Sequence, residues 1–317
     1  MTVRWGIMST GRIAGDFARD IAAVPDASVV AVGSRSADAA AAFAGKYGIP
    51  STHTTAESLA GDASVDAVYV AGIHPVHHDH AILMMEAGKH VLVEKPLAMN
   101  PAEVAEMTSA SKRTGRFLME AMWMRFNPLH VELKRRIDAG EFGRITSIEA
   151  DFSFVGPDDT AHRLFDPAKG GGSLLDVGVY PITLAWWFAG APDEWRADVE
   201  FGPTGVDVGA TLELARRDGS RAVLQCGTQR EGSRTATITC EQATIRIPPP
   251  AHSSPVADIT TSRGVETVRC APPGLHHQVV EAQRCITAGL IESPRMTHAD
   301  SLAIATFIDD VLASSRR

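Results

Sequence analysis

The chain has 317 residues, enough for two α/β domains, and a formal net charge of −8 at pH 7. This acidity argues against a protein that binds nucleic acid, because such proteins normally present a basic face. Hydrophobic residues make up 44% of the chain and charged residues 21%, which excludes a disordered protein and is typical of a folded one.

Two sequence features indicate the compartment in which the protein works. No apolar run approaches the ~18 residues that a membrane helix needs, and charged residues interrupt the N-terminal stretch where a cleavable signal would lie. The chain has four cysteines but no Cys-x-x-Cys pair, so neither a structural zinc site nor a redox centre is predicted. We therefore expect a soluble, cytoplasmic protein with reduced thiols and no membrane partner.

The N-terminal part of the chain alternates strand and helix patterns, which predicts a parallel, doubly wound sheet of the Rossmann type. Asn100 is predicted to cap a helix that has Pro101 in its first turn. The predicted strands cover residues 3–8, 28–33, a weak segment near 52, 65–71, 90–94 and 116–122. The predicted helices cover residues 13–23, 37–47, 76–87 and 101–114.

Beyond Met122 strands follow one another without helices between them, which predicts a large, mainly antiparallel sheet. The Asp218–Gly219 dipeptide predicts a hairpin turn. The predicted strands cover residues 145–154, 210–215, 221–226, 233–240 and 243–248, and the predicted helices 129–139, 275–288 and 299–314. We therefore predict an α/β fold with a dinucleotide-binding Rossmann domain over residues 1–122. An α+β domain over residues 123–317 is predicted to bind substrate and to form oligomers.

The turn after the first strand is similar to the dinucleotide-binding pattern Gly-x-Gly-x-x-Gly/Ala, with Ser9 in place of the first glycine. Gly11 occupies the middle position, where the lack of a side chain lets backbone amides approach a pyrophosphate. Ala14 is small enough for close packing of the helix on the strand. Such a turn also needs small residues for purely structural reasons. The residues predicted to bind the cofactor here are Ser9, Thr10, Gly11, Arg12 and Ile13.

The second strand ends in Ser34-Arg35-Ser36, without the acidic residue that usually accepts the ribose hydroxyls of NAD. Asp38 lies further on, in the predicted helix. Arg35 can pair with a 2′-phosphate, and the two serines can donate hydrogen bonds to it. The alternative is an arginine in a solvated turn. The pattern favours NADP over NAD.

Four histidines lie between His74 and His80, directly after the strand predicted over residues 65–71. They lack the His-Glu-x-x-His arrangement of zinc proteases, and a helix would direct them to different sides. No metal site is predicted, although metal binding and simple solvent exposure remain alternatives. The start of the segment follows a strand end, so we expect it to line the nicotinamide pocket. The residues assigned to this pocket are Ala71, Gly72, His74 and His77.

Two further segments carry candidate chemistry. Lys95 follows Glu94 at the end of the fifth strand, where doubly wound folds bind ligands, although a lysine there can also be a surface charge. Asp176 and Tyr180 follow the glycine run 170–172, and their spacing places both on one face of a helix. By itself that spacing also fits a capped helix with a packed tyrosine.

Taken together, these segments resemble the Gfo/Idh/MocA oxidoreductases nearly from end to end. Within that family the chain is similar to the branch of dimeric dihydrodiol dehydrogenases and NADP-dependent D-xylose dehydrogenases. Like that branch, it has Ser9 where the broad family has glycine, and Tyr180 where many members have histidine. The segments that carry the resemblance are 3–14, 94–96, 117–126, 170–180 and 293–296.

The resemblance implies that Lys95 and Tyr180 form a catalytic pair and that Asp176 binds substrate hydroxyls or orients the tyrosine. It also implies that Glu94 supports the lysine, that the Pro96 bond, in cis, aims it, and that His77 lies in the cofactor loop. Trp123 and Arg125 would lie along the cofactor. An ammonium ~4 Å from a phenol is worth ~4 kcal/mol at an effective dielectric of ~20. Lowering the pKa of a tyrosine by ~2 units needs ~2.7 kcal/mol, so the lysine is sufficient without a metal.

The sequence therefore predicts an NADP-dependent dehydrogenase acting on a sugar, a polyol or a vicinal diol. We expect a homodimer or homotetramer formed through the open face of the second sheet, since such a face is otherwise exposed. One alternative is an enzyme like glucose–fructose oxidoreductase that retains its cofactor. Another is a dinucleotide-sensing binding protein, although a sensor has no need for the catalytic pair.

Overall fold

In the computed structural model, which describes residues 2–316, the first sheet has six parallel strands in the order β3-β2-β1-β4-β5-β6. The order and direction are those of a Rossmann fold, as predicted from the alternating strands and helices. The strands are β1 (Val3–Met8), β2 (Ala27–Gly33), β3 (Ser51–His53), β4 (Ala67–Val70), β5 (His90–Glu94) and β6 (Leu118–Ala121).

The second sheet has eight strands in the order β14-β13-β12-β11-β7-β10-β9-β8. Strands β7 and β10 pair in parallel, and the other neighbouring pairs are antiparallel. The strands are β7 (Ile145–Ser153), β8 (Glu194–Phe201), β9 (Asp207–Ala215), β10 (Arg221–Gly227), β11 (Ala236–Cys240), β12 (Ala243–Ile247), β13 (Val256–Thr261) and β14 (Gly264–Arg269). The α/β fold with a second, mainly antiparallel sheet is therefore confirmed.

Nine α-helices accompany the two sheets within the described residues. None of them is both long enough and apolar enough to cross a membrane. They are α1 (Arg12–Asp20), α2 (Ala37–Tyr47), α3 (Ala56–Ala60), α4 (His77–Glu86), α5 (Pro101–Thr114), α6 (Pro128–Asp138), α7 (Val179–Ala189), α8 (His276–Thr287) and α9 (His298–Ser315).

The chain forms two compact units, and the last helices divide between them. The first unit ends at Trp123 and takes in Gly274–Thr306 as well, whereas the second holds Met124–Pro273 and continues from Phe307. The first boundary lies one residue beyond the predicted one. The sequence assigns residues 274–306 to the second domain, but the structure groups them with the first unit. There the Gln283 side chain of α8 accepts a hydrogen bond from the Trp5 indole of β1, at 3.4 Å.

The core of the first unit explains why β1 lies in the middle of its sheet. The strand is apolar along most of its length, so it can be covered on both faces. Trp5, Phe17 and Tyr69 are fully buried, and the rings of Phe17 and Tyr69 stack at 3.9 Å between centroids. This packing holds α1 against β1 and β4, and so fixes the loop that joins β1 to α1.

Helix α5 begins where the sequence predicts it, with Asn100 as its N-cap. The Asn100 side-chain oxygen accepts a hydrogen bond from the Glu103 amide at 3.0 Å. In return, the Glu103 carboxylate accepts hydrogen bonds from the Met99 amide, at 3.0 Å, and from the Asn100 side chain, at 2.8 Å. The exchange satisfies backbone donors that the first helical turn leaves without partners.

We predict that Asn100→Ala lowers the free energy of unfolding by about 1 kcal/mol, because the cap is lost. Urea denaturation of the two proteins measures the difference. Ser109→Ala, on the exposed part of the same helix, is the control and should change the value by less than about 0.5 kcal/mol. Equal losses in both variants would contradict the role assigned to the cap.

Candidate active site

The candidate cofactor residues of the first unit lie at one edge of its sheet. All six strands are parallel, so the loops that follow them leave from the same edge. The strand order reverses between β1 and β4, and ligands of doubly wound folds bind in the crevice at such a point. The residues that the structure brings to this edge are Ser9, Thr10, Gly11, Arg12 and Ile13 after β1, Ser34, Arg35 and Ser36 after β2, Ala71, Gly72, His74 and His77 after β4, Glu94 and Lys95 at the end of β5, and Trp123 after β6.

The loop between β1 and α1 has the properties of an anion site. Gly11 is the N-cap of α1 and offers no side chain to bond the first amides, and the first turn contains no acidic residue. The positive end of the helix dipole therefore has no local negative charge. Behind the loop, Ala14 is fully buried where the helix meets the sheet. These features fit the pyrophosphate of a dinucleotide.

Ser9 occupies a backbone conformation that favours glycine. Its φ is 147°, in the region that side chains other than glycine rarely adopt. Its hydroxyl oxygen accepts a hydrogen bond from the Gly11 amide at 3.1 Å. The serine therefore keeps the geometry of the glycine that it replaces, and a local hydrogen bond compensates part of the strain.

The loop after β2 leaves a cation exposed. Ser34 accepts a hydrogen bond from the Ser36 amide at 3.3 Å, and Ser36 accepts one from the Ala39 amide at 3.2 Å as the N-cap of α2. The Arg35 side chain is exposed and has no hydrogen bond or ion pair with any other residue between 2 and 316. A guanidinium flanked by two hydroxyl groups, with no carboxylate at the strand end, fits the 2′-phosphate of NADP.

His77 joins two of the loops at the sheet edge. It is fully buried; its Nδ1 lies 2.9 Å from the Pro96 carbonyl oxygen and its Nε2 lies 3.3 Å from that of Gly72. Burial lowers the pKa of His77 to about 4, although both carbonyls favour the charged form. The ring is therefore neutral near pH 7, and Nδ1–H donates to the nearer carbonyl. Gly72 is needed here because a Cβ would lie 2.5 Å from the Val76 side chain.

The other histidines of this segment face different surroundings. His74 is buried next to His77, with 5.8 Å between the ring centroids. His78 bonds to the carboxylates of Asp79, at 2.7 Å, and Glu106, at 2.9 Å, on the surface. Over residues 2–316, no three or more His, Cys, Asp or Glu side chains are grouped so that they could hold a metal ion.

Glu94 is a buried carboxyl group directly before the half-buried Lys95. Burial raises the pKa of Glu94, and a hydrogen bond from the Tyr69 hydroxyl and the charge of Lys95 oppose that shift. The Lys95–Pro96 peptide bond is cis. The sequence does not identify Tyr69 as a partner of this site, because it lies inside the apolar strand β4 and no local pattern indicates that its hydroxyl is hydrogen-bonded.

In the second unit, Asp176 and Tyr180 lie on consecutive helical segments. Asp176 belongs to a π-helical turn, Leu174–Gly178, and Tyr180 to the first turn of α7. Both side chains are buried. Asp176 accepts a hydrogen bond from the Arg163 guanidinium at 3.0 Å. A π-turn is wider than an α-turn, and single π-turns occur frequently at functional sites.

Tyr180 is surrounded by two aromatic side chains that the sequence does not identify. The Phe152 ring lies 5.3 Å from the tyrosine ring and the His252 ring 5.0 Å from it, between centroids. The Phe152 and His252 rings stack on each other at 4.4 Å. They come from β7 and from the short 3-10 helix Ala251–Ser253, far apart in the chain, so no local pattern relates them to the tyrosine.

Trp123 and Arg125 both lie in a short 3-10 helix, Trp123–Phe126. Trp123 is half-buried and belongs to the first unit, whose N-terminal segment ends at this residue. Arg125 is buried in the second unit, where its guanidinium lies 5.2 Å from the centre of the Trp187 ring. Trp187, on α7, is therefore a packing partner of Arg125.

Family models match most of the chain. Residues 3–122 match the model described as an oxidoreductase family with an NAD-binding Rossmann fold. Residues 130–246 match the model described as a GFO/IDH/MocA C-terminal domain. The two matches correspond to the six-stranded sheet and to most of the eight-stranded sheet.

Similar proteins span the same length. A trans-1,2-dihydrobenzene-1,2-diol dehydrogenase from Danio rerio is 37% identical over 98% of this chain and 96% of its own length. The solved structure of a 3-ketoreductase from Actinomadura kijaniata, in complex with NADP and TDP-benzene, has a TM-score of 0.87 at 27% identity, covering 99% of this chain and 98% of its own. An aldose-aldose oxidoreductase from Caulobacter crescentus shares the fold, with a TM-score of 0.91 at 22% identity, covering 100% of this chain and 98% of its own.

We predict that Ser9→Gly is more stable than Ser9→Ala by about 1 kcal/mol or more, because only glycine adopts this φ without strain. Both variants lose the hydroxyl, so the difference in unfolding free energy reports the backbone alone. Thr10, whose φ is not positive, is the matched control. There Thr10→Ala should be more stable than Thr10→Gly by about 0.5–1 kcal/mol. The same order at both positions would show that Ser9 is not strained.

Proposed function

Because this chain belongs to the Gfo/Idh/MocA oxidoreductase family, we propose that it is an NADP-dependent dehydrogenase acting on a sugar, a polyol or a trans-dihydrodiol. The group that reacts is a secondary alcohol or a hemiacetal carbon. The observation that carries the proposal is the position of Lys95. It follows β5 at the same sheet edge as the anion-binding loop of α1, so the unit combines a dinucleotide site with a half-buried cation.

The residues of the first unit would hold the cofactor as follows. The amides from Ser9 to Ile13 would face the pyrophosphate, and the loop from Ser34 to Ser36 would face the adenosine ribose. Ala71, Gly72, His74 and His77 would border the nicotinamide, with Glu94 and Lys95 beside them and Trp123 along the cofactor. Arg125, which belongs to the second unit, is also proposed to lie along the cofactor. When bound, the nicotinamide would supply the hydride-transfer chemistry, in either direction, between itself and the alcohol or carbonyl carbon of the substrate.

Three side chains carry the proposed chemistry. Tyr180 removes the proton of the substrate hydroxyl during oxidation and returns it to the carbonyl oxygen during reduction. The Lys95 ammonium favours the ionised phenol and stabilises negative charge on the substrate oxygen. Asp176, buried and held by Arg163 at 3.0 Å, binds a neighbouring substrate hydroxyl or orients the tyrosine. The rings of Phe152 and His252 limit the movement of Tyr180, which favours a defined direction of proton transfer.

The remaining assignments follow from the same proposal. We assign cofactor binding to residues 1–122. Within the remaining range, 123–317, we assign substrate binding and oligomerisation to the second unit, which leaves out residues 274–306. Alternate residues of β10 are exposed on one face of the second sheet, including Val223, and such a face supports a homodimer or homotetramer. We place the protein in the cytoplasm, in keeping with its reduced cysteines.

We predict that Tyr180→Phe lowers kcat by about 100-fold or more, because it removes the proton-transfer group. Lys95→Met should cause a comparable loss. The assay measures reduced cofactor with trans-dihydrodiols, aldoses and inositols, each tested with NADP and with NAD. Tyr47→Phe, a tyrosine on α2, is the control and should leave kcat within about twofold.

The same assay separates the alternatives. Near-normal turnover in Tyr180→Phe would overturn the catalytic roles. Tight NADP binding without turnover of any substrate would favour a dinucleotide sensor. Turnover only when an aldose and a second sugar are supplied together, without release of the cofactor, would favour an enzyme like glucose–fructose oxidoreductase.

We predict that Arg35→Ala raises the Kd for NADP by about 10- to 100-fold, because hydrogen bonds to a charged phosphate are worth about 1.5–3 kcal/mol. The Kd for NAD should stay within about twofold, since NAD lacks that phosphate. Isothermal titration calorimetry measures both values. Lys46→Ala removes the same charge from the other end of α2 and should change neither. Equal losses for NADP and NAD would contradict the assignment.

A further inference from the structure

Asp207, the first residue of β9, is a buried carboxylate that has no part in the chemistry described above. Its side chain is 3% exposed. One carboxylate oxygen, Oδ2, accepts hydrogen bonds from the Ser173 hydroxyl at 2.7 Å and from the Leu174 amide at 2.6 Å. A buried carboxylate is costly unless it is hydrogen-bonded, so these donors are needed to keep it in place.

The two donors mark the start of the helical segment that carries Asp176 and Tyr180. The π-turn Leu174–Gly178 continues directly into α7, and no side chain of its own caps its first amides. Asp207, on strand β9, supplies that cap. Its negative charge also lies at the positive end of the helical segment, where a carboxylate is stabilising.

The glycine run before the π-turn fits this arrangement. Gly172 has a φ of 131°, and a Cβ there would lie 2.5 Å from Oδ1 of Asp207. A Cβ on Gly171 would lie 2.8 Å from the carbonyl oxygen of Leu164, next to the Arg163 that bonds Asp176. The lack of a side chain at Gly172 therefore leaves room for the Asp207 carboxylate. The lack of one at Gly171 leaves room for the backbone of the segment that carries Arg163.

The surroundings of Asp207 allow no easy replacement of its hydrogen bonds. Burial raises its pKa, and the bonds from the Ser173 hydroxyl and the Leu174 amide oppose that shift. The Cys226 sulfur, also buried, lies 3.8 Å from the Ser173 hydroxyl oxygen. If Asp207 is removed, the Ser173 hydroxyl and the Leu174 amide remain buried without an acceptor, which costs their full desolvation penalty. The turn would therefore have to move to find other partners.

We propose that Asp207 is a positioning residue, which fixes the start of the π-turn and thereby places Asp176 and Tyr180 for the reaction. This inference depends on the proposed function, because it assigns the two side chains their catalytic and substrate-binding roles. Asp207 itself touches neither the substrate nor the cofactor in this proposal.

The test compares a graded series of variants with a matched control. Asp207→Ala removes the acceptor, Asp207→Asn keeps one oxygen without the charge, and Ser173→Ala removes one donor. Asp218→Asn is the control. It lies beyond the other end of β9, is exposed, and accepts from donors of the same kind, the Ser220 hydroxyl at 2.6 Å and the Ser220 amide at 3.0 Å.

We expect Asp207→Ala to lower kcat by about 30-fold and to raise KM for substrate by about threefold or more, since small displacements of reacting groups are costly. Asp207→Asn and Ser173→Ala should show smaller losses in both constants. The Kd for NADP, measured by calorimetry, should stay within about twofold throughout, because the cofactor residues lie elsewhere. The control should match the unmodified protein in kcat, KM and Kd.

Three results would overturn the inference while Tyr180→Phe remains inactive. The first is unchanged kcat and KM in Asp207→Ala. The second is a loss of kcat with unchanged KM in every variant, which a smaller fraction of folded protein would explain. The third is an equal effect of Asp218→Asn. If Asp207→Ala does not fold, Asp207→Asn and Ser173→Ala decide by the same criteria. Activity retained in Tyr180→Phe would instead overturn the proposed function.

Discussion

The parallel pairing of β1 with β2 on one side and β4 on the other is the constraint on which the first unit's site depends. It brings the carboxyl ends of the strands to one edge, and with them the uncapped start of α1, Arg35 and Lys95. The stacked rings of Phe17, on α1, and Tyr69, on β4, hold the helix against the sheet and so keep its N-terminus at this edge. A helix dipole, an exposed guanidinium and an ammonium thus lie at the edge where we propose that the pyrophosphate, the 2′-phosphate and the nicotinamide end of NADP bind.

Two buried carboxyl groups, one in each unit, are held by specific hydrogen-bond donors. Glu94 accepts from the Tyr69 hydroxyl, and Asp207 accepts from the Ser173 hydroxyl. His77 avoids the cost of a buried charge by staying neutral. Glu94 precedes Lys95, His77 belongs to the proposed cofactor loop, and Asp207 caps the turn that carries Asp176. At these three positions the cost of burying a polar group is offset by contacts that fix the local geometry.

The elements that the sequence predicts well are those whose own residues decide their structure. Continuous apolar runs predict β1 and β5 to the residue, and the Asn100 cap predicts the start of α5. Strands β8, β13 and β14 and the short helix α3 were missed. Strand β14 is nearly all exposed, so it has no apolar pattern, and its pairing with β13 defines it. The placement of residues 274–306 was also missed, because contacts such as that between Trp5 and Gln283 join distant parts of the chain.

The sequence by itself determined the fold class, the family and the positions of the candidate residues, because glycine, small-residue and charge patterns are local. Tertiary structure decided what surrounds those residues. It placed Phe152 and His252 against Tyr180, bonded Arg163 to Asp176, and set Asp207 at the start of the π-turn. These contacts join separate strands, loops and helices, so no pattern of residue types along the sequence predicts them. They exist only because packing of the second sheet brings those segments within hydrogen-bonding and van der Waals distance.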